Sequence, residues 1–208
     1  MLGLHHYALF ILCGILLNLT PGQDTVYILG RSLSAGRGAG IASAFGVTAG
    51  TLIHTVAAAA GLSVVLAASP LAFTMVKHGG AAYLIYLGAK LLFVRSPPLD
   101  LKTEPAPGGA RAAFTQGVLT NVLNPKVALF FLAFLPQFIA PESPSKTLAF
   151  LVLGATFITT GTIWGLVLAC AAGTRRTLFV RRPGLRTGMD RAIGAMFVLL
   201  GARLAWSR

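Results

Sequence analysis

Two short polar segments interrupt otherwise apolar stretches of this chain. Asn18-Leu19-Thr20-Pro21-Gly22-Gln23-Asp24 and Asn121-Val122-Leu123-Asn124-Pro125-Lys126 each set asparagine and a proline beside one charged side chain. Proline inside a helix removes a backbone hydrogen bond and clashes with the carbonyl four residues back. In hydrocarbon, each polar group released in this way costs several kcal/mol until protein, water or a ligand satisfies it. Asp24 and Lys126 add to that cost. A charge at the centre of a span is unfavourable by at least about 2.5–3.5 kcal/mol on the insertion scale, so such residues are usually functional or paired. The chemistry on offer is reversible binding of a small zwitterion. Lys126 and freed amides would meet a carboxylate, and Asp24 with freed carbonyls would meet an ammonium group. Asn18, Thr20, Pro21, Gly22, Gln23, Asn121, Asn124 and Pro125 complete the expected substrate-binding set. Three plainer alternatives stand beside it: a structural Asp24–Lys126 ion pair, an interfacial Asp24, and ordinary kinks satisfied by neighbouring helices.

The elements that must carry these residues follow from composition. The 208 residues are 55% hydrophobic and only 11% charged, with a mean hydropathy of +0.78, whereas a soluble domain is about 25% charged. A soluble globular protein is excluded. Apolar runs long enough to cross a bilayer read as six spans at 7–29, 41–66, 71–94, 114–136, 147–172 and 189–206. The fold class expected is therefore all-α: one polytopic membrane domain over 1–208, with broken helices at the first and fourth spans. The first span lacks a charged leader and a small-residue cleavage site, so it reads as retained rather than as a signal peptide.

Pro97, Pro98, Pro105 and Pro107 mark a long central connection. It divides the chain into repeat one (about 1–96), a linker (97–113) and repeat two (114–208). Three spans per half force the halves into opposite orientations, the arrangement of an inverted repeat, and corresponding broken helices are where such transporters bind their substrates.

Charge sets the orientation. Arg31, Arg37, Arg95, Lys102, Arg111, Arg175, Arg176, Arg181, Arg182, Arg186 and Arg191 fall in or beside odd-numbered connections, against Lys77, Lys146, Arg203 and Arg208 on the other side. The positive-inside rule then places the odd connections in the cytoplasm and both termini outside. The net charge of +12 reads as topology rather than a nucleic-acid footprint.

Other residues carry weaker signals. Gly46, Gly50, His54 and Gly61 share a helical face, which turns His54 into the bundle as a second proton-coupling candidate after Asp24; small-residue faces would also suit a homodimer. Thr156, Thr159, Thr160 and Thr162 surround Gly161 and Trp164, and threonines readily bond to their own helix. Asp190 sits beside Arg186 and Arg191, where dipole and charge account for it. Cys13 and Cys170 are the only thiols, and a thiol-redox carrier using them is one alternative function; a passive pore or complex subunit is another. No nucleotide, metal-ligand or hydrolase motif is present, so the expectation is a non-enzyme without cofactor or metal.

Thr20-Pro21-Gly22-Gln23-Asp24 resembles the TPGPD-type signature of the LysE/RhtB family of amino-acid exporters. Gln116 to Lys126, followed by Phe130-Phe131 and Leu135-Pro136-Gln137-Phe138, is similar to that family's second signature, and Gly79 to Lys90 looks like its third span. The resemblance covers nearly the whole chain. It implies efflux of an amino acid or close derivative across a bacterial inner membrane, driven by an ion gradient, with proton antiport the expected coupling. Gln23 departs from the family pattern, standing where a second proline is usual. That departure implies a softer kink and an added donor and acceptor at the site.

Overall fold

The computed structural model describes residues 2–64, 70–93, 108–172 and 183–206. Eight helices carry these residues: α1 (Tyr7–Leu19), α2 (Gln23–Ala35), α3 (Arg37–Ala57), α4 (Pro70–Phe93), α5 (Gly109–Val122), α6 (Pro125–Leu129), α7 (Lys146–Ala171) and α8 (Pro183–Trp206). A π turn, Ala58–Leu62, extends α3; a π turn at Phe130–Phe134 and a 3₁₀ turn at Leu135–Phe138 extend α6.

Arg37–Leu62 and Lys146–Ala171 are long and apolar enough to cross a membrane unaided. The pairs α1–α2 and α5–α6 qualify when each is counted as one span, bent by 49° and 48°. Both expected breaks are therefore present, at the expected prolines. The first bend, with Gln23 after Gly22, is as sharp as the second. The structure thus carries two to four spans by length and hydropathy. In α4, Lys77, His78 and Lys90 dilute the apolar run, and in α8 Asp190, Arg191 and Arg203 do so.

Several expected boundaries move. Helix α2 continues past the apolar residues to Ala35, and Gly36 alone joins it to α3. Gly36 has φ +86°, a conformation glycine adopts without steric cost, so the helix stops there rather than where apolarity fades. The connection expected from Arg31 to Gly40 shrinks to this one residue. Arg31, assigned to that connection, is instead 6% exposed within α2. Its guanidinium donates to Gln116 Oε1 at 3.0 Å, tying α2 to α5. Helix α8 begins at Pro183, before the expected 189. Residues 94–107 of the linker region and 173–182, with Lys102 and five of the counted arginines, lie outside the described residues.

Small residues govern the close packing. Gly88 and Gly194 face each other, and a Cβ on either would lie 2.6–2.7 Å from the other's carbonyl. Gly201 lies against Ala81 in the same way, so α4 and α8 run antiparallel along a shared small-residue seam. Gly46 and Gly50 serve α3 likewise against α5. Gly61 does not continue that stripe. It is exposed with open space at its Cβ position, because the π turn inserts a residue and rotates the face.

The core is uneven along its length. Toward the N-terminal end, Phe10, Phe130, Phe131, Phe134, Phe138 and Phe157 are buried to 4% exposure or less. Their rings interlock at centroid distances such as 4.6 Å for Phe130–Phe157 and 4.8 Å for Phe134–Phe138, pairs worth about 0.5–1.5 kcal/mol each beyond area burial. The chain start is pinned over this cluster: His5 N–H donates to Phe138 O at 3.0 Å, and Ala140 N–H to Gly3 O at 2.8 Å. The opposite half holds a second, smaller apolar cluster of Ile28, Leu29, Ala44, Leu168 and Ala169.

Candidate functional site

The two breaks meet in the middle of the bundle, and they are built differently. At the first, Thr20 closes α1 by donating its backbone N–H to Leu16 O and Leu17 O at 3.0 and 3.2 Å, and its hydroxyl to Leu16 O at 2.8 Å. Gly22 precedes α2 in extended conformation and has no side chain with which to cap it. At the second, Asn124 Oδ1 accepts from the Lys126 backbone N–H at 3.0 Å, a normal N-cap bond. Pro125 takes the first helical position, where its missing N–H costs nothing.

The charged side chains cross from one break to the other. Lys126 Nζ donates to Leu17 O at 2.9 Å and to Thr20 O at 3.0 Å, carbonyls at the negative end of the α1 dipole, where a cation is favoured. Asp24 lies in the first turn of α2, at the favourable end for an anion. Its Oδ2 accepts from Asn121 Nδ2 at 2.9 Å and Asn124 Nδ2 at 3.2 Å. Its other oxygen, Oδ1, is buried without a hydrogen-bond partner. Each charge is thus held by the opposite break. The freed carbonyls, expected to receive a ligand's ammonium, receive the protein's own.

Asn121 joins these parts. It is 1% exposed, accepts from Thr51 Oγ1 at 3.3 Å, and its backbone oxygen faces His54 Nε2 at 3.2 Å. The His54 ring stacks on Phe131 with centroids 5.8 Å apart. Gly50 makes room, since a Cβ there would stand 2.7 Å from Asn121 Cβ. His54 is therefore one residue removed from Asp24.

Beside the breaks lies a small cavity of about 60 Å³. Asn18, Thr20, Gly22, Asp24, Asn124 and Lys126 line it. Gln23 does not: its side chain is exposed outside the cavity, because the first position of α2 points away from the bundle. Asn121 supports Asp24 from behind, and Pro21 and Pro125 shape the backbone without lining the space.

The far wall comes from α7, through Phe157, Gly161, Trp164, Gly165 and Leu168 at helical spacing. Its threonines do bond to their own helix, as Thr156 Oγ1 to Val152 O at 2.8 Å. They also hold other helices: Thr160 Oγ1 accepts from Asn18 Nδ2 at 3.1 Å, and Thr162 pairs with Thr48 at 2.7 Å. Asp190 is 4% exposed. The cysteines form no pair: Cys13 is buried with its thiol 3.9 Å from Met196 Sδ, and Cys170 is exposed.

Comparison with known proteins bears on what such a site serves. Residues 15–208 match the LysE type translocator family. A membrane protein of Vibrio cholerae serotype O1, described as uncharacterized, is 34% identical over 211 residues covering both chains entirely. The homoserine/homoserine lactone efflux protein of Salmonella typhimurium is 32% identical over 199 residues, 96% of this chain and 95% of that one; that of Salmonella typhi is equally similar. No solved structure matches. The chain belongs to the LysE type translocator family, and it is a multi-pass membrane transport protein rather than an enzyme.

Proposed function

We propose that this protein exports a small amino acid or close derivative across the bacterial inner membrane in exchange for protons. The observation that carries this reading is the unpartnered Asp24 Oδ1 at the cavity. A buried carboxylate oxygen with no donor is costly to leave unsatisfied. A proton or a substrate ammonium group satisfies it, and one excludes the other. Competition for a single oxygen is then the coupling: a proton bound from outside displaces the ammonium on that side, and the ammonium displaces the proton on the other. His54 is the second titratable group in this arrangement, through Asn121. The efflux relatives, named for homoserine and its lactone, make those two compounds the first candidates.

The fold we propose is one domain of six spans in two inverted repeats, with α4 and α8 as the third and sixth spans, and the linker, the termini and the inner membrane side as read from the basic residues. The equal bends of the two broken pairs and the antiparallel α4–α8 seam support it. Access alternates about the breaks. The phenylalanine cluster closes the outer half, and the cavity between the breaks and the Gly36 end is the inward-facing route.

Proteoliposomes with an imposed pH gradient test the reading. Labelled homoserine is expected to move against the proton flow in wild type. Asp24→Asn should insert and fold, yet lose gradient-driven transport. Undiminished coupling in that variant would exclude Asp24 as the exchange site.

A further inference from the structure

Two residues that line this cavity each carry a buried polar atom without a partner, and the two atoms are of opposite kind. Asp24 Oδ1 is an acceptor, and Trp164 Nε1–H is a donor. An indole N–H has no acceptor capacity and no second way to bond, and a buried tryptophan usually finds a partner. Thr162 and Asn18, which line the same cavity, bond instead to Thr48 and Thr160. The helix around Trp164 is also shaped to bring that wall close. Gly161 places no Cβ against Asn18, from which it would stand 3.3 Å, and Gly165 sits over Ala44 and Ile28.

We propose that Trp164 is a specificity-determining residue, whose indole N–H donates to an oxygen of the substrate while the substrate's ammonium group sits on Asp24 Oδ1. The inference rests on the amino-acid reading above and extends it from one end of the ligand to both. The chemical class it selects is a primary amine that also carries an oxygen acceptor. A neutral donor does not require that oxygen to be charged, so a carboxylate, a hydroxyl and a lactone carbonyl all qualify. Lys126 uses two of its three N–H bonds on Leu17 O and Thr20 O, which leaves one for a carboxylate where the ligand has one.

The test uses full-length protein in liposomes, with L-homoserine and L-homoserine lactone as probes. Trp164→Phe keeps most of the ring volume and removes the donor. Losing one buried hydrogen bond should weaken the apparent affinity for both probes about ten-fold, with maximal rate retained. The second measurement needs no loss of function. In a Trp206→Phe background Trp164 is the sole tryptophan, and its emission should shift on addition of either probe. Unchanged affinity in Trp164→Phe, or emission indifferent to saturating probe while transport proceeds, overturns the role of Trp164 and leaves the amino-acid reading standing. If Trp164→Phe does not fold, the emission result decides alone. Absence of any amino-acid transport by wild type overturns that reading, and this inference with it.

Discussion

The α1–α2 and α5–α6 pairs break at nearly the same angle, 49° and 48°, yet only one break is complete in itself. At the second, Asn124 caps the new helix and Pro125 begins it, so the local sequence satisfies the local backbone. At the first, Gly22 offers no cap, and two carbonyls accept from an ammonium group supplied by the other break. A self-capped break is a fixed bend. A break held by a side chain 106 residues away can be released when that side chain moves. The asymmetry locates the adaptable half of the site in α1–α2 and the rigid half in α5–α6.

Removing the borrowed cation should have the largest effect. Lys126→Ala leaves Leu17 O and Thr20 O without it and Asp24 without its nearest opposite charge. Breaking a buried charged arrangement from one side costs about 3–5 kcal/mol, and transport should vanish. Unfolding of purified protein in detergent measures the first and counterflow the second. Adding Asp24→Asn to Lys126→Ala should recover part of the lost stability, because coupled partners are non-additive. A strictly additive double variant would mean that the two breaks are independent.

Asn124→Ala attacks the self-sufficient break and should be milder. It removes an N-cap, worth about 0.5–2 kcal/mol, and one of the two amides on Asp24 Oδ2. Asn121 retains the other. Stability should fall by about 1–2 kcal/mol, with transport reduced rather than lost. A loss equal to that of Lys126→Ala would erase the distinction between the breaks.

Sequence exposed this site because polar and charged residues beside proline are conspicuous in apolar surroundings. Asp24, Asn121, Asn124 and Lys126 all declared themselves in that way, and all four converge in space. How they pair was hidden, since nothing in the spacing says that Lys126 reaches Leu17 O rather than a ligand. The α7 wall was hidden for another reason. Trp164 and its neighbouring glycines and threonines look like ordinary packing in any apolar helix, and only the third dimension shows which face meets the breaks. Arg31 misled because a helix need not end where apolar residues end; Gly36 decides that, and Arg31 is carried into a buried contact with Gln116. Helices α4 and α8 were the least legible as spans, their lysines, arginines and aspartate blurring the hydropathy on which the reading depended.

The smallest effect is expected where the two breaks can be made more alike. Gln23 occupies the first position of α2, as Pro125 occupies that of α6. Proline there gives up an N–H that the helix start does not use. The residue before a proline must be extended, and Gly22 already is, with φ −147° and ψ −165°. Gln23→Pro should therefore fit without strain and stabilise by about 0.4–1 kcal/mol through the unfolded state. Transport should stay within two-fold of wild type (~0.4 kcal/mol), because the glutamine side chain is exposed and outside the cavity. A stabilised but slower transporter would be the informative surprise: it would mean that the first break must flex during the cycle, and that the glutamine preserves the looseness which its counterpart at Pro125 lacks.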